Sequence, residues 1–294
     1  MVPCMLGSSD GIEALLEALE VRYLGNRDPQ VHFGLLTDLR DADTEQRDED
    51  AAMLAQAEAG IRALNIRYPV SACDHFFLFH RPRLWNVAEH CWMGHERKRG
   101  KLTDLNAVLR GAGWGSFDRI VGNVSVLSDV RYVITLDTDT QLPRDAAREL
   151  VGTMAHPLNQ PRLDAGGQRV CAGYGILQPR MAASVSGTGR SRYARLFGSE
   201  PGIDPYTRSV SDVYHDLLEG CHARSGLISD VQFYESYPTD YAADVGRRAR
   251  WIRGDWQIFQ WLLPWVPRAG GGARDHLRYS RHPGRPGRAT PLRG

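Results

Sequence analysis

Lysine is almost missing from this chain. Of its 36 lysines and arginines only Lys98 and Lys101 are lysine, so arginine carries nearly all the positive charge. Net charge is missing too: 35 acids leave +1, which excludes the whole chain as an electrostatic nucleic-acid binder and argues against nucleic acid as a partner. No apolar run approaches the roughly 20 residues that a membrane-spanning helix needs. The start, MVPCMLGSSDG, has neither a basic n-region nor a sustained apolar h-region, so no secretory signal is expected. Five cysteines (4, 73, 91, 171 and 221) are odd in number, scattered and without a CxxC pair. That excludes a disulfide framework or a paired-cysteine zinc site and predicts reduced thiols in a soluble, cytoplasmic chain. No internal repeat is visible. What is present is a 294-residue chain, 42% hydrophobic and 24% charged, long enough to bury one large core or two modest ones.

The even charge balance is an average of two unlike parts. Residues 268–294 hold seven arginines and one acid, Asp275, for a charge of +6; residues 1–267 therefore carry −5. Gly, Pro and Arg dominate the tail and apolar residues almost vanish, which predicts disorder there. Residues 1–267 alternate strand-like and helix-like stretches, the pattern of a mostly parallel α/β sheet flanked by helices. Asp10-Gly11-Ile12-Glu13 resembles a capping box, with Ile12, Leu15, Leu16, Leu19 and Tyr23 following at helical spacing. Strands are expected at Val31 to Thr37, His75 to His80, Val170 to Leu177 and Ile228 to Tyr234, and helices at Gly100 to Arg110 and Asp145 to Met154. The strongest strand pattern is Val130 to Leu136 (VRYVITL), apolar and β-branched enough to predict burial on both faces.

That run leads straight into Asp137-Thr138-Asp139-Thr140. Ligands of open α/β sheets bind at the carboxyl ends of strands, so two carboxylates there face a candidate active site and could hold Mg²⁺ or Mn²⁺ on a substrate phosphate. A solvated turn is the plainer alternative. Arg247-Arg248-Ala249-Arg250-Trp251 offers guanidinium forks for a diphosphate and an indole for a sugar ring; an amphipathic helix with solvated arginines is its alternative. Asp216 could act as a general base on an acceptor hydroxyl, or simply cap a helix. Lys101 stands at the start of a predicted helix, where it could meet a phosphate. Asp38 ends its strand, as a nucleotide contact or a turn residue.

In this order the features resemble a GT-A (Rossmann-like) glycosyltransferase. The stretches LLTDLRDA, ERKRGKLTDLNAVLRG, RYVITLDTDTQLPRDAARELVGTMAHPLN and RRARWIRGDWQ are similar to the catalytic domain of cyclic β-1,2-glucan synthases, a resemblance covering about residues 2 to 267. It implies UDP-glucose as donor, a growing β-1,2-glucan as acceptor, and inversion at the anomeric carbon. Asp137 and Asp139 would hold the divalent metal, Asp38 and Lys101 would serve the nucleotide side, and Asp216 would be the base. Arg247, Arg250 and Trp251 would grip the diphosphate and line the acceptor path. In the family this domain lies on the cytoplasmic face of the bacterial inner membrane, within a much larger polypeptide. Against the family pattern, the first strand looks shortened at Val2 to Leu6, and the flanks of a longer segment look fused between Tyr214 and His215.

Overall fold

The computed structural model describes residues 1–69, 74–165, 170–183 and 224–235, with short pieces at 241–242, 245–246, 249, 252, 265–266 and 275–276. The chain divides into two compact units, Met1–Tyr237 and Pro238–Gly294.

The first unit is built on a four-stranded sheet. Its strands are β1 (Val2–Leu6), β2 (Phe33–Leu39), β3 (Phe76–His80) and, after two intervening short strands, β6 (Arg119–Val121), in the order β1-β2-β3-β6. β1, β2 and β3 run parallel, and β6 is antiparallel to β3. Two helices, α1 (Ser9–Gly25) and α2 (Asp50–Arg67), are the crossovers that parallel pairing requires. Every residue of β2 and β3 is buried, as strands covered on both faces must be. Alternation divides them: Leu35, Phe76 and Leu78 join Ile12, Leu19, Ile61 and Leu64 of α1 and α2 in one core. Leu36, Phe77 and Phe79 join Leu105 and Val108 of α3 (Arg97–Leu109) in a second core on the opposite face. The result is a three-layer α/β/α arrangement with a parallel-rich sheet.

The intervening strands β4 (Leu84–Asn86) and β5 (Cys91–Met93) form a hairpin between β3 and α3. Downstream, α4 (Ala146–Ala155) follows the Asp-rich turn, and β7 (Arg162–Leu163) pairs with β8 (Val170–Ala172). β9 (Ile176–Ala183) runs parallel to β10 (Ser225–Glu235). The single strand expected over Val170 to Leu177 is thus two, because Gly173 takes a φ of 69° and turns the chain between them. In the second unit, β11 (Trp265–Val266) pairs antiparallel with β12 (Asp275–His276). No helix among the described residues is long and apolar enough to cross a membrane.

Three further expectations are corrected. Val130 to Leu136 forms no regular strand: Arg131, Tyr132, Val133 and Thr135 are exposed, and Leu136 alone is buried. Its strand-like pairing among the described residues is with Met1, whose amine donates to the Ile134 carbonyl (2.7 Å) and whose carbonyl accepts from Leu136 N (3.0 Å). A β-branched run becomes a strand only where a neighbour supplies a ladder, and here the ladder ends after one residue. The helix α1 starts at Ser9, capped by Ser8, whose extended backbone lets its hydroxyl accept from Gly11 N at 3.2 Å; Asp10 already lies in the first turn, where its charge suits the helix N-terminus. The helix α3 starts at Arg97, before Gly100, after Glu96 adopts left-handed backbone (φ 50°), so Lys101 lies one turn inside rather than at the start.

Candidate functional site

Beyond Leu136 the chain turns sharply, with Thr140 N donating to the Asp137 carbonyl at 3.2 Å. The inner side of the turn is held by Arg22 on α1. Its Nη2 donates to the carbonyls of Thr138 and Thr140 at 2.9 Å each and of Asp137 at 3.3 Å, and its Nε reaches the Thr140 carbonyl at 3.3 Å. Asn26, one turn later, fixes the far end: its Nδ2 donates to the Pro143 carbonyl and its Oδ1 accepts from Ala147 N, both at 2.9 Å. With the backbone gripped from inside, Asp137 and Asp139 remain exposed. The Asp137 carboxylate accepts from the Lys98 ammonium. Both side chains of that pair are about half exposed, so Lys98 is a loosely held counter-ion.

Two carboxylates one residue apart on an exposed turn are hard oxygen donors suited to Mg²⁺ or Mn²⁺. Such ions take one or two protein carboxylates and complete their shell from substrate phosphates and water. Among the described residues no group of three or more His, Cys, Asp or Glu side chains that could hold a metal ion comes together.

Beside this turn, at the carboxyl ends of β2 and β3, lies a buried ionic cluster. Arg81 grips Asp38 with a two-pronged contact, Nε to Oδ1 at 2.9 Å and Nη2 to Oδ2 at 3.0 Å. Its Nη1 donates to Asp104 on α3 at 2.7 Å, and Nη2 also reaches the carbonyls of His95 and Arg97. The Lys101 ammonium sits 3.0 Å from Asp38 Oδ2 and donates to the Cys4 carbonyl. Burial pulls Lys101 below the usual lysine range against the opposing pull of Asp38. Burial also disfavours the Arg81 guanidinium, but its hydrogen bonds to Asp38 and Asp104 outweigh that and raise its pKa. A Cβ on Gly94 would collide with the Asp38 carboxylate, so the loop from β5 to α3 depends on glycine for its close approach. Next to the cluster, His80 is held to about 4 by burial and bonds Thr37 Oγ1 through Nδ1 at 2.8 Å, so it is neutral at pH 7. Burial pushes the Cys4 thiol up to about 12, which removes it as a nucleophile.

No family model matches the chain. The sequence is 39% identical over 302 residues, covering 90% of this chain, to the cyclic beta-(1,2)-glucan synthase NdvB of Rhizobium meliloti (strain 1021). The chain is homologous to a segment of that enzyme. It spans 10% of the relative's length. Nine tenths of 294 residues is about 265, so the 302 aligned positions include about 37 at which the glucan synthase has residues and this chain has none.

Within the segment homologous to that enzyme the structure brings several of the residues read from sequence together. Asp38 and Lys101 are in direct contact, and Lys98, on the exposed side of the same helix, joins α3 to Asp137. Asp139 lies on the same turn as Asp137, and its charge acts on Arg22. Asp38 is buried between two cations, Lys101 and Arg81, which both pair with it. Asp216, Arg247, Arg250 and Trp251 lie outside the described residues. Sequence reasoning missed Arg22, Asn26 and Arg81. Their signal was present: Arg22 and Asn26 continue the apolar stripe Leu15-Leu19 of α1 at helical spacing, and Arg81 directly follows the buried run Phe76–His80. Polar residues at core positions demand partners, and here the partners are the site.

Proposed function

We propose that the chain is the GT-A-type glycosyltransferase segment of a cyclic β-1,2-glucan synthase, moving glucose from UDP-glucose to the hydroxyl of a growing glucan. The single observation that carries this is the 39% identity to a glucan synthase across 90% of the chain, with the Asp137–Thr140 turn held open on the sheet's edge. Asp137 and Asp139 would hold Mg²⁺ or Mn²⁺, which when bound neutralises charge on the departing diphosphate. The cluster of Asp38, Asp104, Arg81 and Lys101, two acids against two bases, forms a charge-balanced floor on the nucleotide side. Asp216 accepts the proton of the acceptor hydroxyl as its oxygen bonds to the anomeric carbon; the bond from that carbon to UDP breaks, and configuration inverts. Arg247, Arg250 and Trp251 grip the diphosphate and line the acceptor path. The resemblance further implies placement at the cytoplasmic face of the inner membrane, within a larger polypeptide.

Calorimetry with UDP and Mn²⁺ tests the donor site. Binding that requires the metal and weakens tenfold or more in Asp139→Ala is expected, about 1.4 kcal/mol or greater; equal affinity in that variant rejects the assignment. The positions missing from the alignment support a second reading for the isolated chain, that it binds donor without polymerising. Glucan formed from UDP-glucose by purified protein would overturn it.

A further inference from the structure

Arg22 is an expensive residue to keep where it is. The side chain is 4% exposed, and its hydrogen bonds go to neutral carbonyls rather than to a carboxylate. Its Nη1 is buried and has no hydrogen-bond partner among the described residues. A buried charge with no carboxylate in direct contact, balanced only by the nearby charge of Asp139 and with one donor left over, is a net cost that an apolar side chain of similar length would avoid. The planar fork accomplishes something that neither an apolar side chain nor lysine can: donors in one plane span the carbonyls of Asp137, Thr138 and Thr140 at once.

Other elements finish the grip without touching the carboxylates. Thr140 is buried and its hydroxyl donates to Glu235 of β10 at 3.2 Å, while Gln141 N donates to the Tyr234 carbonyl at 2.7 Å. Asp145 N donates to the Gly25 carbonyl at the end of α1 at 3.0 Å. The carbonyls of Asp137, Thr138 and Thr140, the Thr140 amide and hydroxyl and the Gln141 amide are therefore tied down, while the side chains of Asp137, Thr138 and Asp139 are exposed. A turn this rich in Asp and Thr has several competing local hydrogen-bonding shapes, because those side chains readily bond their own backbone. Arg22 selects one of them.

We infer that Arg22 is a positioning residue for the Asp137–Thr140 turn, preorganising both carboxylates for a divalent cation bound to a nucleoside diphosphate. The inference rests on the donor-site reading above, and the test separates the two. Calorimetric titration of UDP with Mn²⁺ compares wild type with Arg22→Met and Arg22→Lys. Arg83→Met serves as a comparator: it breaks the buried pair with Asp50 and destabilises the fold without touching the turn. At a temperature where circular dichroism shows all four folded, Arg22→Met is expected to weaken binding at least tenfold and Arg22→Lys by less. Arg83→Met should bind as wild type, and methylguanidinium should restore part of the Arg22→Met loss. Amide hydrogen exchange supplies the independent readout. Exchange at residues 138–141 should rise at least tenfold in Arg22→Met while β2 and β3 amides stay protected. If wild type fails to bind UDP the donor-site reading falls, and the exchange result alone decides whether Arg22 sets the turn. A folded Arg22→Met with unchanged exchange at 138–141, or with wild-type Mn²⁺·UDP affinity, overturns the inference.

Discussion

Two acidic regions stand at the same edge of the sheet and are treated in opposite ways. Asp38 is buried and saturated: Arg81 takes both its oxygens and Lys101 one of them. Asp137 and Asp139 are exposed, with one loosely held ammonium between them and water. The backbone inverts this pattern. Around Asp38 it is ordinary strand, fixed by the parallel ladders to β1 and β3, whereas beneath Asp137 it is an irregular turn that needs a dedicated arginine. The contrast teaches a division of labour. Where the sheet dictates geometry, charge is buried as structure; where the carboxylates stay exposed, the backbone is held from behind.

The contrast can be attacked from its buried side first. Arg81→Met should leave Asp38 and Asp104 without their main partner, and breaking a buried pair from one side costs about 3–5 kcal/mol, read from urea unfolding. A loss under about 1 kcal/mol would show that the cluster is not structural. The next effect is a pH dependence. His80 sits at about 4 when folded against an ordinary value of 6.5, so the unfolded chain binds the extra proton between those limits. Stability contributed by neutral His80 is therefore full above pH 6.5 and lost as pH falls toward 4, by about 3 kcal/mol in all. His80→Gln should flatten that stretch of the stability–pH curve; an unchanged slope would place the dependence elsewhere.

On the exposed side the expected effects on stability shrink and those on binding grow. Asp137→Asn should change unfolding free energy by no more than about 0.5 kcal/mol while weakening Mn²⁺·UDP binding about tenfold. A large stability loss would mean that this carboxylate is structural after all. Smallest is Lys98→Ala. Removing the half-exposed counter-ion should cost at most about 1 kcal/mol and tighten Mn²⁺ binding roughly twofold at low salt, a gain that fades as salt screens the site. Weaker Mn²⁺ binding in this variant would instead make Lys98 part of the ligand shell.

Much of this was legible in the sequence. The apolar runs of β2 and β3, and the helical spacing of α1, α3 and α4, follow from local patterning, because burial on two faces or one stripe leaves a direct trace in residue order. The Asp-x-Asp turn was legible for the same reason, as two acids directly after an apolar run. Val130 to Leu136 misled because composition reports preference for an extended backbone and says nothing about whether a neighbour completes the ladder.

By itself, then, the sequence determined the parallel-rich α/β class, the strands β2 and β3 as apolar runs, and the kinship to a glucan synthase, since these rest on periodicity and residue identity. Only the tertiary structure decided which charges are exposed and which are buried. Arg22 lies 118 residues before Thr140 and Arg81 lies 43 after Asp38, and no local rule pairs residues so far apart. Their meeting is fixed by the crossovers that return each helix to the sheet, and by the high cost of leaving a buried guanidinium without acceptors.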